Sequence, residues 1–554
     1  MAKNCVEIII GDRIIEAEKR ANLMEVLIAV GIMLRSDCGG RGRCGKCLVR
    51  IKDLRPGAVS TFDEHERQLL GEARLAAGWR LSCCTRVYDH IRLEIPESSL
   101  LTPDVVQKGM SVLLSRLDIP TAEQRRIAVQ DYGIAVDVGT TTIAVYLCNL
   151  KKRTVVGSTS ARNPQAIFGD DVISRISAVQ TAEDGLARLQ KMAVSTIDWA
   201  VFALCRRLEI EPMRIASAAV VGNSTMIHLL LGEDPSSIGT SPYLPRFTEE
   251  QTRSGGQLGI NFNTDVALRT LPLISGYLGA DLVGAALAAD IASLPTGTLL
   301  VDVGTNGEII LKTEDGFAAT SCATGPALEG AAIQHGMQAT SGAIESVRFF
   351  TQAERLECTL IQHDSDHPQP PTGICGSGVI STVAELLRAG VVAPSGNYSA
   401  TFNSPFLRQG QNGTLVFELV SGQASSAGIP IVLTQSDVRA VQLAKGALRT
   451  GIDLLCRENN IQQPYKILLA GAFGSYLQKA DILRIGMLPK VPEEDIVIVG
   501  NAAGVGAILA LCDEDYFNEA KELAQKTQAF ELASTPDFQN AFVANLSFPN
   551  EQDV

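Results

Sequence analysis

Four cysteines near the start of the chain have the type and spacing that an iron–sulfur cluster requires. Cys38, Cys44 and Cys47 form a C-x5-C-x2-C pattern in a glycine-rich stretch, and Cys83 follows at a distance. Four thiolates can hold a cluster with bridging sulfides, and the glycines let backbone N–H groups approach the sulfur atoms. Zinc is the alternative, but zinc sites usually pair two C-x2-C units, and Cys83-Cys84 is not such a unit. The pattern therefore favours a module that carries an electron.

A second chemical signal is the sequence Asp-Val-Gly-Thr, which occurs at 137–140 and again at 302–305. Each copy follows a buried-strand pattern and precedes another strand. In such a turn the glycine lets the backbone approach an anion, and the following N–H and hydroxyl groups bind phosphate. The aspartate at the strand end can hold Mg²⁺, directly or through water. Two identical turns that begin two α/β halves indicate a clamp on one triphosphate, and unrelated turns of a glycine-rich protein are the alternative.

A third element has a composition that suits the close approach of an adenosine. The apolar strand 467–470 enters the small-residue turn Gly471-Ala472-Phe473-Gly474, and a helical pattern follows. Together with the two Asp-Val-Gly-Thr turns, this element predicts a nucleotide site built from distant parts of the chain.

The elements that must position these groups fall into several domains. A hairpin over 5–18, a helix capped by Asn22, the cysteine loop and strands on both sides of Cys83 predict a β-grasp domain over residues 1–97. Residues 98–130 read as a linker. Alternating strand and helix patterns predict α/β lobes over 131–296 and 297–545, and the tail after Pro536 is expected to form a short strand.

Composition limits the function classes. The 554 residues carry a net charge of -13, which disfavours nucleic acid as the main partner. No apolar run is long enough to span a bilayer, so we expect no membrane association. Thirteen cysteines, an odd number in an irregular distribution, argue against a secreted disulfide framework. The opening residues lack the pattern of a signal peptide. These features predict a cytoplasmic protein.

The cysteine-containing segment resembles the 2Fe-2S ferredoxin domains of the β-grasp type, with the x5 gap of adrenodoxin-like members. This resemblance implies that Cys38, Cys44, Cys47 and Cys83 bind the metal, because the fourth ligand of the pattern follows Arg-Leu-x. Cys84 stands where the family commonly has Gln, and it remains the second candidate.

The three turns resemble the phosphate-1, phosphate-2 and adenosine motifs of the actin, sugar-kinase and Hsp70-like ATPases. The resemblance implies two RNase-H-like lobes that close over Mg²⁺ and ATP. The cofactor-binding residues that it implies are Asp137, Gly139, Thr140 and Thr141 in the first motif, Asp302, Gly304, Thr305 and Asn306 in the second, and Gly471, Ala472 and Gly474 in the third. No catalytic residue is assigned; Glu308 and Glu329 are both candidates for the base in ATP hydrolysis.

The whole chain resembles the reductive activators of corrinoid proteins, which share this order of ferredoxin domain, linker and actin-like ATPase. The resemblance implies an ATP-hydrolysing metalloreductase that returns an inactive Co(II) corrinoid to Co(I) in a methyltransferase or O-demethylase system. It also implies a corrinoid protein as acceptor and a low-potential donor such as a ferredoxin or a flavodoxin, and it is compatible with a homodimer. Two alternatives stay open: an ATP-driven electron-transfer activator of another low-potential enzyme, and a cluster-based redox sensor with nucleotide-dependent partner binding.

Overall fold

The structure is a computed structural model. It describes residues 5–36, 38, 40, 42, 44–52, 55–101, 132–330, 333–362, 368–410, 413–471 and 477–550. The predicted linker over 98–130 lies outside these residues from 102 on. The described residues divide into two units. The first contains the chain up to 280 together with 507–517, and the second contains 281–506 and the chain from 518 on.

The N-terminal part of the first unit is a five-stranded sheet with the strand order β2-β1-β5-β3-β4. Its elements are β1 (Cys5–Ile10), β2 (Arg13–Glu18), α1 (Leu23–Ala29), β3 (Leu48–Lys52), α2 (Glu64–Ala76), β4 (Trp79–Leu81) and β5 (Ile91–Glu94). β1 and β5 run parallel and the other pairs are antiparallel. Asn22 caps α1 by accepting from the N–H groups of Met24 and Glu25. Helix α2 was not predicted; Asp63 caps it by accepting from Glu66 N–H.

The rest of the first unit contains a six-stranded sheet with the order β10-β11-β9-β6-β7-β8. Its elements are β6 (Tyr132–Val138), β7 (Thr142–Asn149), β8 (Thr154–Arg162), α3 (Val172–Thr181), α4 (Gly185–Leu208), β9 (Ile215–Gly222), α5 (Ser224–Leu231), β10 (Thr252–Ser254), α6 (Gly255–Leu258) and β11 (Ala267–Thr270). Strands β6, β7 and β8 form an antiparallel meander, and β9 and β11 extend it in parallel from β6. The apolar pattern before the first Asp-Val-Gly-Thr turn therefore forms a central strand, as predicted.

The remaining elements follow in chain order. They are α7 (Ala280–Ala288), β12 (Thr298–Val303), β13 (Gly307–Lys312), β14 (Phe317–Cys322), β15 (Ala343–Phe350), β16 (Arg355–Leu360), β17 (Gly373–Ile374), α8 (Gly376–Arg388), β18 (Leu407–Gln409), β19 (Leu415–Val420), β20 (Ile431–Thr434), α9 (Gln435–Glu458), β21 (Lys466–Ala470), α10 (Lys479–Arg484), β22 (Ile496–Gly500), α11 (Ala502–Cys512), α12 (Glu514–Gln525), β23 (Thr527–Ala529) and α13 (Phe538–Ala544).

Five strands of the main sheet in the second unit repeat the order and directions of five strands in the six-stranded sheet of the first, and the sixth strand, β10 or β23, lies at the opposite edge. The order in the second unit is β22-β21-β12-β13-β14-β23. Strands β12, β13 and β14 form an antiparallel meander, and β21 and β22 extend it in parallel from β12. Each Asp-Val-Gly-Thr turn therefore joins the first two strands of a meander. Two small three-stranded sheets, β16-β15-β17 and β18-β19-β20, complete the unit.

The end of the chain differs from the expected strand. Residues 538–544 form helix α13, in which the rings of Phe538 and Phe542 stack with centroids 6.1 Å apart. Both rings pack against the hydrophobic core of the second unit, so burial at helical i, i+4 spacing decides the conformation. No helix within the described ranges is long and apolar enough to cross a bilayer.

Candidate cluster site and nucleotide-binding turns

The sheet of the N-terminal part brings the cysteine loop to Cys83. Strands β3 and β4 pair in the register Leu48↔Leu81, and Ser82 N–H donates to the carbonyl of Cys47 over 3.0 Å. This pairing leaves the Sγ atoms of Cys47 and Cys83 only 3.3 Å apart, and both side chains are buried. The hydrogen bond between the two thiols lowers the pKa of Cys47 to about 7, and the same contact raises the pKa of Cys83.

The other two cysteines of the loop also contact each other. A hydrogen bond to Cys38 raises the pKa of the Cys44 thiol. The sulfurs are thus grouped as Cys38 with Cys44 and Cys47 with Cys83. Two pairs of thiols suit two irons with two thiolates each.

Cys84 lies beside this group. Its Sγ atom is 3.7 Å from that of Cys83, and it packs on Gly42, where an added Cβ would lie 2.7 Å from it. Of Cys83 and Cys84, it is Cys83 whose sulfur contacts a cysteine of the loop, Cys47. Cys84 is half-buried and is held through its carbonyl, which accepts from the Ser60 hydroxyl.

The first Asp-Val-Gly-Thr turn is tight and closed on one side. Gly139 N–H donates to the carbonyl of Thr142 over 3.0 Å. An added Cβ at residue 139 would lie 2.7 Å from that same carbonyl oxygen, so the turn has no room for a side chain. Asp137 is the second-last residue of β6, and Thr141 directly precedes β7. The amide of Asn223, which caps α5, donates to the Thr140 hydroxyl over 2.9 Å.

Two buried residues that the sequence reasoning missed hold the carbonyls of this turn. Asn163 donates from its backbone N–H to the Thr141 carbonyl over 2.8 Å and from its amide to the Gly139 carbonyl over 2.9 Å. Arg175 donates to the Thr140 carbonyl over 2.5 Å. Burial lowers the pKa of Arg175 to about 9. The guanidinium therefore remains protonated at neutral pH and keeps all its N–H donors.

The second turn has different supports. Gly304 N–H donates to the Asn306 carbonyl over 3.2 Å. The Thr324 hydroxyl bridges the carbonyls of Gly304 and Thr305, and the Thr305 hydroxyl donates to Glu329 over 2.8 Å. These contacts satisfy the carbonyls of the turn and the N–H of Gly304. The N–H groups of Thr305 and Asn306 are therefore the part of the backbone that can bind an anion.

The structure brings the start of the third motif next to the second. Strand β21 pairs with β12 so that Ala470 faces Asp302, and Gly471 follows with φ 105°. An added Cβ at Gly471 would lie 2.5 Å from the Val303 carbonyl oxygen and 3.0 Å from Asp302 Oδ1. Glycine is therefore required here both by conformation and by space. Ala472 and Gly474 lie outside the described residues.

Three carboxyl groups gather around the second turn. Burial, and then the negative charges of Asp281 and Asp302, raise the pKa of Glu308 well above its usual range. Burial also raises the pKa of Asp281 to about 6. The side chain of Asn306 hydrogen-bonds Glu308. Asp281 lies in the first turn of α7, and its closeness to Glu308 depends on tertiary packing.

The first turn belongs to the first unit, and the second and third motifs belong to the second unit. Asn163, Arg175 and Asn223 contact the first turn. Gly471 and the carboxyl groups of Asp281, Asp302 and Glu308 lie at the second turn.

Three family models match successive parts of the chain. Residues 8–88 match the family model of the 2Fe-2S iron-sulfur cluster binding domain, residues 132–293 that of the RACo middle region, and residues 296–554 that of the C-terminal domain of RACo, the ASKHA domain. These matches support a 2Fe-2S cluster and nucleotide binding. With the repeated sheet topology they confirm the predicted fold class, a ferredoxin-type domain followed by actin-like α/β lobes.

Individual relatives extend over nearly the whole chain. The corrinoid activation enzyme RamQ of Eubacterium limosum is 30% identical over 96% of this chain and 97% of its own. The Co(II) methylated amine-specific corrinoid protein reductase of Methanosarcina barkeri is 26% identical over 75% of this chain and 77% of its own. A solved structure titled as a reductive activator for a corrinoid, iron-sulfur protein has a TM-score of 0.70 at 30% identity and covers 98% of both chains.

Proposed function

Since this chain belongs to the family of reductive activators of corrinoid proteins, we propose that it uses ATP to deliver one electron to a corrinoid protein. The electron converts inactive Co(II) to Co(I), which makes the chain an ATP-hydrolysing metalloreductase. The observation that carries this proposal is that one chain holds two contacting thiol pairs and two phosphate-type turns with buried supports. Uphill transfer explains the ATPase, since each 59 mV opposes one-electron transfer by about a factor of ten.

For the cluster we propose Cys38 and Cys44 as ligands of one iron and Cys47 and Cys83 as ligands of the other. When bound, the 2Fe-2S cluster supplies the one-electron donor. The protein's part is to keep the four sulfurs grouped in two pairs and buried or half-buried, which limits the access of solvent to the cluster.

For the nucleotide we propose the residues of the three motifs. The N–H groups of Thr140, Thr141, Thr305 and Asn306 would bind phosphate oxygens, and Gly139 and Gly304 would let the backbone approach them. Gly471, Ala472 and Gly474 would accept the adenosine.

We propose that Mg²⁺ accompanies the nucleotide, with Asp137 and Asp302 as the carboxylates nearest to it. The raised pKa values of Glu308 and Asp281 support a cation beside Asp302, because a positive charge would relieve the repulsion among these three groups.

The remaining parts of the proposal concern partners and organisation. We propose a low-potential ferredoxin or flavodoxin as the donor, and a homodimer as the first hypothesis for the oligomeric state, which sedimentation measures directly. Thirteen cysteines, an odd number in an irregular distribution, support a reducing, cytoplasmic location. We propose domains over 1–97, 131–296 and 297–545 with a linker over 98–130, and limited proteolysis should cut first in that linker.

The test combines the cluster-loaded protein, a reductant, ATP and a purified Co(II) corrinoid protein, and follows the cobalt spectrum. We expect Co(I) to appear only with hydrolysable ATP, and ATP hydrolysis to rise when the corrinoid protein is added. A non-hydrolysable ATP analogue and a corrinoid protein without cobalt serve as controls. Equal ATP hydrolysis with and without the Co(II) partner, or reduction without ATP, would contradict the proposal.

A further inference from the structure

Within the first unit, the ferredoxin-type domain packs on helix α4. Met192 of α4 belongs to the hydrophobic core of that domain, and Trp199 packs against the same core. Glu25 of α1 forms an ion pair with Arg188 of α4. The Arg188 guanidinium also lies 4.8 Å from the ring centroid of Phe168. The domain that carries the cysteine loop is therefore seated on α4 by apolar, ionic and cation–π contacts.

The cysteine loop itself also contacts this surface. A Cβ added to Gly40, two residues after Cys38, would lie 2.7 Å from Ile167 Cγ1. The backbone at Gly40 is held in turn by its N–H, which donates to the Ser36 hydroxyl over 2.7 Å. Ile167 thus lies directly against the main chain of the loop that we assign to the cluster.

Ile167 belongs to the short segment 163–168, and the other end of this segment supports the first phosphate-type turn. Asn163 holds the carbonyls of Gly139 and Thr141, as described above. Three residues separate Asn163, whose side chain fixes the turn, from Ile167, whose side chain lies against the cysteine loop. A 3₁₀ turn over Pro164–Ile167 connects them.

Buried hydrogen bonds tie this segment to the same helix that seats the ferredoxin-type domain. The Gln165 amide donates to the Leu189 carbonyl of α4 over 2.8 Å, and its oxygen accepts from Arg175 over 3.1 Å and from the Asn163 amide over 3.2 Å. Asn163, Gln165 and Arg175 are all 0% exposed. Because these groups are buried and satisfied, a shift of the turn cannot be absorbed locally without leaving a polar group unpaired.

We propose that the segment Asn163–Phe168 couples nucleotide occupancy of the first turn to the oxidation state of the cluster. This inference rests on the proposed function only in its assignment of a cluster and a nucleotide to these two places. Coupling between two sites is reciprocal: if nucleotide changes the potential of the cluster, reduction of the cluster changes the affinity for nucleotide by the same factor. The positioning residue at the cluster end is Ile167.

The experiment uses the full-length, cluster-loaded protein and a non-hydrolysable ATP analogue with Mg²⁺, without a corrinoid protein. The dissociation constant of the analogue is measured for the oxidised and the dithionite-reduced protein, and the midpoint potential is measured with and without analogue. We expect the two dissociation constants to differ by about fivefold or more, which corresponds to a potential shift of about 40 mV.

Substitution at the cluster end then tests the route. We expect Ile167→Ala to bring the ratio of the two dissociation constants below about twofold while the visible spectrum and the affinity of the oxidised protein persist. Ile173→Ala, the same change at an exposed residue of α3, should keep the wild-type ratio. If Ile167→Ala fails to fold, Arg188→Gln tests the contact between α4 and the ferredoxin-type domain instead. Arg206→Gln, on the exposed face of α4, is its control.

The outcomes separate this inference from the proposed function. Equal affinities for oxidised and reduced wild-type protein, or a wild-type ratio retained in both Ile167→Ala and Arg188→Gln, overturn the coupling and leave the proposed function standing. A wild-type chain that binds no cluster or no nucleotide overturns both.

Discussion

Cys83 and Cys84 are adjacent in sequence but have different surroundings. Cys83 is 7% exposed and contacts the sulfur of Cys47, whereas Cys84 is half-buried and packs on Gly42. In a cluster with two thiolates per iron, we therefore propose Cys83 as the partner of Cys47, because its sulfur already lies beside that of Cys47. The neighbouring thiol then serves as packing for the loop.

Serine substitution of each residue separates these roles. We expect Cys83→Ser to lose the cluster, and Cys84→Ser, the same change one residue later, to keep it. Iron and sulfide content, visible absorption and the electron paramagnetic resonance signal of the reduced protein are the measurements. A cluster that survives in Cys83→Ser and disappears in Cys84→Ser would reverse the assignment.

Glu308 is a second residue whose environment leads to a prediction. It is buried, close to two other carboxyl groups, and its pKa is raised by burial and by their charges. In Glu308→Gln the neutral amide can still accept from Asn306 but carries no charge. We expect the Mg²⁺-free protein to gain thermal stability and the Mg²⁺-dependent affinity for ATP to fall about tenfold, equivalent to about 1.4 kcal/mol.

The control for this variant is Glu314→Gln, because Glu314 is exposed between β13 and β14. Calorimetric titration of ATP with and without Mg²⁺ gives both affinities. An unchanged Mg²⁺ dependence in Glu308→Gln would remove Glu308 from the proposed cation environment.

At the scale of elements, the two Asp-Val-Gly-Thr hairpins share strand order but differ in how their turns close. The first turn is tightly closed by its own backbone and is held from outside by Asn163 and Arg175. The second is supported by side-chain contacts of Thr305 and Thr324. We therefore expect substitutions in the Asp-Val-Gly-Thr sequence to affect stability differently in the first and the second turn.

Alanine at the equivalent glycines should reveal this difference. A Cβ at Gly139 would lie 2.7 Å from a backbone oxygen, whereas at Gly304 the nearest atom would be 3.4 Å away. We expect Gly139→Ala to destabilise its unit by about 1–3 kcal/mol, as overpacking commonly does, and to weaken ATP binding. Gly304→Ala should change the unfolding temperature little. Thermal unfolding of both variants is the measurement, and a larger loss in Gly304→Ala would be the contrary result.

The hairpins were predictable because their signal is local: a buried-strand pattern, a Gly-Thr turn and a second strand. Asn163 and Arg175 were not, because they meet the first turn only through the tertiary fold. One signal for Arg175 is present in the sequence, because its position relative to Val172 and Ile176 places it on the buried face of α3. The fourth cysteine was predicted through its flanking Arg-Leu, whereas the pairing of the sulfurs required the β3–β4 register.

At the scale of the whole molecule, the first unit is not one continuous stretch of chain. Residues 507–517 return to it from the second unit's part of the sequence. Asp513 forms an ion pair with Arg153 over 2.7 Å, and this pair is almost fully buried. Glu514 makes two hydrogen bonds with Arg269 at 2.7 and 3.0 Å. These contacts could not be read from sequence order.

A fragment that ends at residue 280 should therefore be less stable than the corresponding part of the intact protein. We expect it to be cleaved faster by protease, because the guanidinium of Arg153 loses its buried partner. A peptide spanning 502–525 should restore resistance, and the same peptide with Asp513→Ala should restore less. A fragment as resistant as the intact chain would show that the returning segment is dispensable.

The crowding of Cys47, Cys83 and Cys84 has a consequence for a protein exposed to air. The sulfur of Cys83 lies 3.3 Å from that of Cys47 and 3.7 Å from that of Cys84. When the iron is lost, oxygen can therefore oxidise two of these thiols to a disulfide before iron binds again. Repair would then need two events in order, reduction of the sulfur–sulfur bond and only afterwards return of iron and sulfide. Oxygen damage at this site is thus expected to be reversible only where a thiol reductant acts before the cell's cluster-assembly machinery.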